Sequence, residues 1–203
     1  MWHPRRKVSG VSFEHDPPVR FAVVDVETSG LSVSRHRVLQ VGVVQIDADG
    51  AVLDRWASLV RPRRRWWFRV GPRRLHGIDR RSLRRAPSAR DVHDQLVRRL
   101  DGCVVVAHNA SFDLAFLHDF SRRIGRTLPV QASLCTLALS RQLDPERQQS
   151  HRLGAVCARY DVLLERPHDA LADADATAAI LPHLLAAHRI TTLAQVQAQL
   201  VAA

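Results

Sequence analysis

The first sustained apolar run is Phe-Ala-Val-Val-Asp-Val at residues 21–26, which predicts a short buried strand. Gly30 then breaks it into a turn. A second run at 38–46, Val-Leu-Gln-Val-Gly-Val-Val-Gln-Ile, predicts strand two, and 52–60 predicts strand three. The link Asp47-Ala48-Asp49-Gly50 is short and turn-forming, so these two strands form an antiparallel hairpin. Residues 61–90 have no such pattern, and Pro62, Gly71 and Pro72 keep much of the stretch irregular. Val92, Leu96, Val97 and Leu100 recur at helical spacing across 90–101. Residues 103–107 read as a fourth, buried strand. Asn109 is placed to cap a helix over about 110–123, with Phe112, Ala115, Phe116 and Phe120 on its apolar face. Strand five is expected at 130–134, followed by helices near 136–142, 152–160 and 170–188. The expected fold class is α/β, a mixed five-stranded sheet with helices on its faces. Residues 1–20, with Pro4, Pro17 and Pro18, read as a flexible leader to a domain at 21–188. Residues 189–203 read as a short tail containing an amphipathic helix.

The formal net charge of +10 changes this picture. Lys7 is the only lysine, so the positive charge is almost all arginine, the better fork for phosphate. Twelve arginines and one acid, Asp79, fall within 61–90, beside Trp66, Trp67 and Phe68. That composition suits a solvated basic loop, or a rim that contacts phosphates and stacks bases. Cys103, Cys135 and Cys157 are odd in number and widely spaced, which argues against a disulfide framework and a structural zinc site and fits a cytoplasmic location. No apolar run is expected to reach the ~18 residues of a membrane helix, and no secretory signal is expected after the basic residues 5–7.

The acids carry the candidate chemistry. Asp25 and Glu27 stand at i and i+2 of a strand, so both carboxylates project from one face. Two like charges this close repel unless a cation lies between them, and hard oxygen donors favour Mg²⁺ or Mn²⁺. Asp113 falls in the first turn of the helix after strand four, where a carboxylate is also favoured by the helix dipole. Asp169, Asp173 and Asp175 cluster at the start of a late helix, with His168 just before it, after Pro167, on the loop.

These motifs resemble the DEDDh 3′–5′ exonucleases, the family of the proofreading epsilon subunit of bacterial DNA polymerase III. The matching residues are Asp25-Val26-Glu27-Thr28-Ser29-Gly30, Asn109-Ala110-Ser111-Phe112-Asp113 and His168-Asp169-Ala170-Leu171-Ala172-Asp173. His76-Gly77-Ile78 matches a family loop that faces the terminal nucleotide. The resemblance covers about residues 21–188, in motif order, and departs from the family at the Arg/Trp-rich residues 63–74. It implies a ribonuclease-H-like fold and phosphodiester hydrolysis at a nucleic-acid 3′ end. It also implies two divalent ions held by Asp25, Glu27, Asp113 and Asp173, with His168 taking the proton from water. Thr28, Leu31, His76, Asn109 and Phe112 would then seat the terminal nucleotide. A DNA polymerase is the partner the resemblance suggests, and no membrane is implied. Spacing favours Asp173 over Asp169 and Asp175 as the fourth acid. An RNA-trimming exonuclease and a non-catalytic nucleic-acid-binding module are the rival readings.

Overall fold

The computed structural model describes residues 19–62 and 69–202. Arg63, Arg64, Arg65, Trp66, Trp67 and Phe68, and most of the expected leader, lie outside the described residues. Six strands form one sheet in the order β3-β2-β1-β4-β5-β6. They are β1 (Arg20–Thr28), β2 (Val38–Asp47), β3 (Val52–Leu59), β4 (Val104–Ala107), β5 (Ala132–Cys135) and β6 (Val201–Ala202). The sheet is therefore mixed, as expected, but six-stranded rather than five-stranded. The extra strand lies in the expected tail and pairs antiparallel with β5. β1–β2 and β2–β3 are antiparallel, whereas β1–β4 and β4–β5 are parallel.

Alternation along β1 divides the core. Phe21 and Val23 pack with α5 (Thr136–Gln142), α6 (Leu153–Arg159) and α7 (Ala170–Ala187) on one face. Ala22, Val24 and Val26 pack with α3 (Ala89–Leu100) and α4 (Ala110–Arg123) on the other. The core begins before the expected domain, since Val19 is buried. It also continues beyond it: Ile190, and Val196 on α8 (Leu193–Ala198), are buried against the α7 face. Within the basic stretch, two short helices replace the expected irregularity: α1 (Arg73–His76) and α2 (Arg80–Arg85). Leu39 of β2 packs with Val70, Ile78 and Leu83 in a small separate core that holds this segment against the sheet.

Two local expectations need correction. Ala115 is exposed, and Leu114 and Leu117 take the buried positions of α4 alongside Phe116 and Phe120. By length and composition α7 is apolar enough to cross a membrane, contrary to the expectation that no run would be. Eleven of its residues are buried in the protein, including Ile180, Leu181 and Leu184, so here it is a core helix.

Candidate active site

The odd positions of β1 set the site. Asp25 and Glu27 continue the face of Phe21 and Val23, so their carboxylates stand on the α7 side at the strand's end. α7 meets the sheet there because Gly42, the partner of Asp25 on β2, has no side chain. A Cβ at Gly42 would lie 2.2 Å from the Ala170 carbonyl oxygen. Beside it, Gln40 pairs with Glu27 across the strands and accepts from the Ala170 N–H at 3.4 Å. An irregularity follows between Glu27 and Thr28, one of the places where sheets re-aim side chains.

Asp173 lies in the first turn of α7, and its Oδ2 accepts from the His168 backbone N–H at 3.1 Å. His168 sits on the loop, as its position after Pro167 predicts, in the left-handed conformation (φ 66°). Glu27, His168 and Asp173 each offer a ligand atom, all within 4.8 Å of one another. Asp113 enters from α4. β1 pairs with β4 only as far as Val23, and the Val26 N–H beyond that pairing is taken by Asp113 Oδ1 at 3.1 Å. The fold thus brings together the acids of three separate motifs.

Their charges are mutually unfavourable. Burial, then the carboxylates of Asp113, Asp173, Glu27 and Asp169, push Asp25 well above the usual carboxylate range. Burial followed by Asp173 and Asp169 raises Glu27 to about 7. Burial raises Asp113 to about 8, although the Val26 N–H favours its charged form. Asp173 is also raised by burial, and its Oδ1 is buried without a hydrogen-bond partner. An acceptor-only oxygen in that state, among repelling carboxylates, fits a hard divalent cation.

The neighbouring acids separate by partner. Asp175 accepts from Arg55 Nε of β3 at 2.7 Å, which ties it to that strand. Asp169 caps α7 by accepting from the Ala172 N–H. Asp173 alone of the three shares the cluster with Glu27 and His168.

The expected nucleotide-seating residues are less uniform. Leu31 is 83% exposed, an apolar side chain held out at the end of the β1 turn. His76 is buried; its Nδ1 accepts from the Ile78 N–H at 3.0 Å, so the neutral ring carries its proton on Nε2. Burial lowers the pKa of this ring, and His168 is one of the groups that add to the effect. Thr28 donates its hydroxyl to the Gly30 carbonyl at 2.8 Å and so shapes the turn. Asn109 does not cap α4 with its side chain; it is exposed in the left-handed conformation (φ 73°), which asparagine tolerates. Phe112 is half-buried against Phe116, with ring centroids 4.9 Å apart. Gln40 and Gly42 are the positioning residues that the sequence reading missed. Their signal was a polar residue and a glycine inside an otherwise apolar strand.

The exonuclease family model matches residues 22–181. The chain belongs to this family. Its relatives include the PolC-type DNA polymerase III of Oceanobacillus iheyensis, 34% identical over 161 residues, a match covering 79% of this chain and 11% of that protein. The PolC-type enzyme of Bacillus subtilis is 32% identical over 169 residues, covering 81% and 11%. The chain therefore spans about a tenth of the length of these relatives. Escherichia coli exonuclease I in complex with a dT13 oligonucleotide shares the fold, with a TM-score of 0.72 at 17% identity, over 82% of this chain and 41% of that one. Cell-death related nuclease 4 does so with a TM-score of 0.70 at 17% identity, over 85% and 66%. The fold is ribonuclease-H-like, and the family is one of hydrolytic nucleases acting on nucleic acid.

Proposed function

We propose that this protein is a metal-dependent 3′–5′ exonuclease that removes nucleoside monophosphates from the 3′ end of DNA. The observation that carries this reading is the convergence of Glu27, Asp173 and His168 within 4.8 Å. Asp25, Glu27, Asp113 and Asp173 would hold two divalent ions, Mg²⁺ or Mn²⁺. Bound there, such ions supply an acidified water and offset charge on the leaving oxygen. His168 is the general base: its imidazole borders the carboxylates, and its exposure lets an accepted proton leave to solvent. Asp173 positions it by holding the His168 backbone N–H.

Leu31 offers an exposed apolar surface for the terminal nucleoside, and His76 joins it by motif. Thr28, Asn109 and Phe112 complete the seat by motif. The PolC-type relatives support DNA as substrate and a proofreading or repair setting with a DNA polymerase as partner.

The test is digestion of 3′-labelled single-stranded DNA, mismatched duplex and RNA, side by side, with Mg²⁺, Mn²⁺ or chelator. Release of mononucleotides from DNA only when metal is present is expected. Release from RNA alone would move the substrate class, and no release from any substrate would leave a binding module.

A further inference from the structure

Away from the carboxylates, an open groove of about 810 Å³ runs between the C-terminal half of α4 and the start of β2. Arg35, Arg37, Arg61, Arg69 and Arg123 line it, and Asp119 is its only acid. That acid is already engaged by Arg122 and Arg123 of its own helix. Among the described residues, Arg35, Arg61 and Arg69 form no ion pair, and all three are exposed. Arg37 is crowded by Arg123, and burial and that like charge lower its pKa. Of the five arginines that line the groove, Arg123 alone is paired with an acid among the described residues.

Its position ties it to the site. Ser29 lines it, two residues beyond Glu27. The Ser29 N–H donates to the Arg37 carbonyl at 2.9 Å, and its Oγ accepts from the Arg37 N–H at 3.0 Å. On the other wall, Gly71 packs on the Ser29 backbone so closely that a Cβ would lie 2.3 Å from the Ser29 oxygen. The groove therefore opens at the end of the strand that carries Asp25 and Glu27. Among the described residues, the phenyl rings of the groove cannot stack on bases, because Phe116 and Phe120 are only 1% and 8% exposed. Its exposed guanidinium groups suit phosphate.

We propose that this arginine groove grips the phosphodiester backbone of the substrate strand upstream of the nucleotide being removed, without reading its bases. The proposal rests on the exonuclease reading, and its test is arranged so that either can fail alone. The variant is Arg35→Gln/Arg61→Gln/Arg69→Gln, three exposed changes outside the catalytic cluster. Binding of a long single-stranded oligonucleotide is measured against salt in chelator. Hydrolysis is measured with that oligonucleotide and with the p-nitrophenyl ester of thymidine 5′-monophosphate, which cannot reach the groove.

Each phosphate contact contributes roughly 0.7 to the log–log salt slope on single strands, so the triple variant should flatten it by about 2. Its affinity should fall about tenfold at low salt, by a similar factor for every base composition. KM for the long oligonucleotide should rise, while the ester is hydrolysed at the wild-type rate. Arg69→Gln alone should flatten the slope by about 0.7, which keeps the proposal testable if the triple variant misfolds. Unchanged affinity and slope would overturn the proposal, as would an equal loss on the ester and on the long strand. If the wild type hydrolyses neither substrate, the exonuclease reading fails, and the binding slopes still decide the groove.

Discussion

Burial, together with four neighbouring carboxylates, raises the pKa of Asp25 well above the usual carboxylate range. Asp25→Asn removes a metal ligand and that repulsion together. Metal-ion catalysis supplies several kcal/mol, so metal-dependent cleavage should fall by about 10³-fold or more. The thermal midpoint in chelator should stay level or rise, because a repelling charge is gone. Near-wild-type turnover by this variant would remove Asp25 from the metal site. His168→Ala should behave differently. Loss of a general base typically costs ~10²–10⁴-fold, yet the acids remain and Mn²⁺ should still raise the thermal midpoint. An undiminished rate in the variant would place the base elsewhere. At this scale the sequence was legible where a motif fixed a spacing. Spacing favoured Asp173 over Asp169 and Asp175, but the partner that ties Asp175 down, Arg55, lies 120 positions away and left no trace in the spacing.

Among the elements, α7 decides whether the site exists. Its first turn carries Asp173, the preceding loop carries His168, and both approach β1 only as closely as β2 allows. Gly42 sets that distance, because Ala170 and Leu171 backbone atoms lie where its Cβ would be. Gly42→Ala should force the helix start outward, and a misplacement of about 1 Å can cost ~10²-fold in rate. Overpacking of this kind also costs ~1–3 kcal/mol of stability. The expected result is a folded protein with slower turnover and a smaller Mn²⁺-induced rise in thermal midpoint than wild type. A variant with unchanged turnover and metal response would show that the helix start has slack. Gln40→Ala, which removes only the 3.4 Å contact to the Ala170 N–H, should have the same sign and a smaller size.

For the molecule as a whole, the crowded carboxylates couple folding to protons and metal. In the folded state Glu27 titrates near 7 and Asp113 near 8, whereas unfolded carboxylates titrate near ~4. The folded state therefore binds more protons across that interval, and stability falls as pH rises through it. In chelator the thermal midpoint should drop between about pH 5 and 8, and Mg²⁺ should restore most at the upper end and little at the lower. The same titration of Asp25→Asn should be flatter, which separates the cluster from the background of the +10 chain. Parallel pH curves for the two proteins would mean that the cluster is not coupled to folding.

The sequence by itself marked five of the six strands, most helices, and the candidate acids with His168, because each is a local property. Alternation puts Asp25 and Glu27 on one face, helical spacing marks α3, and Pro167 leaves His168 on a loop. Tertiary structure decided what depends on distant partners. It buried Ala110 and Leu114 while leaving Ala115 in solvent, since the face of α4 is set by the sheet beneath it. It drew the expected tail into the core through Ile190 and Val196 and added β6 beside β5. It also gathered arginines from the β1–β2 loop, the end of β3 and α4 into one groove, an arrangement with no spacing along the chain to announce it.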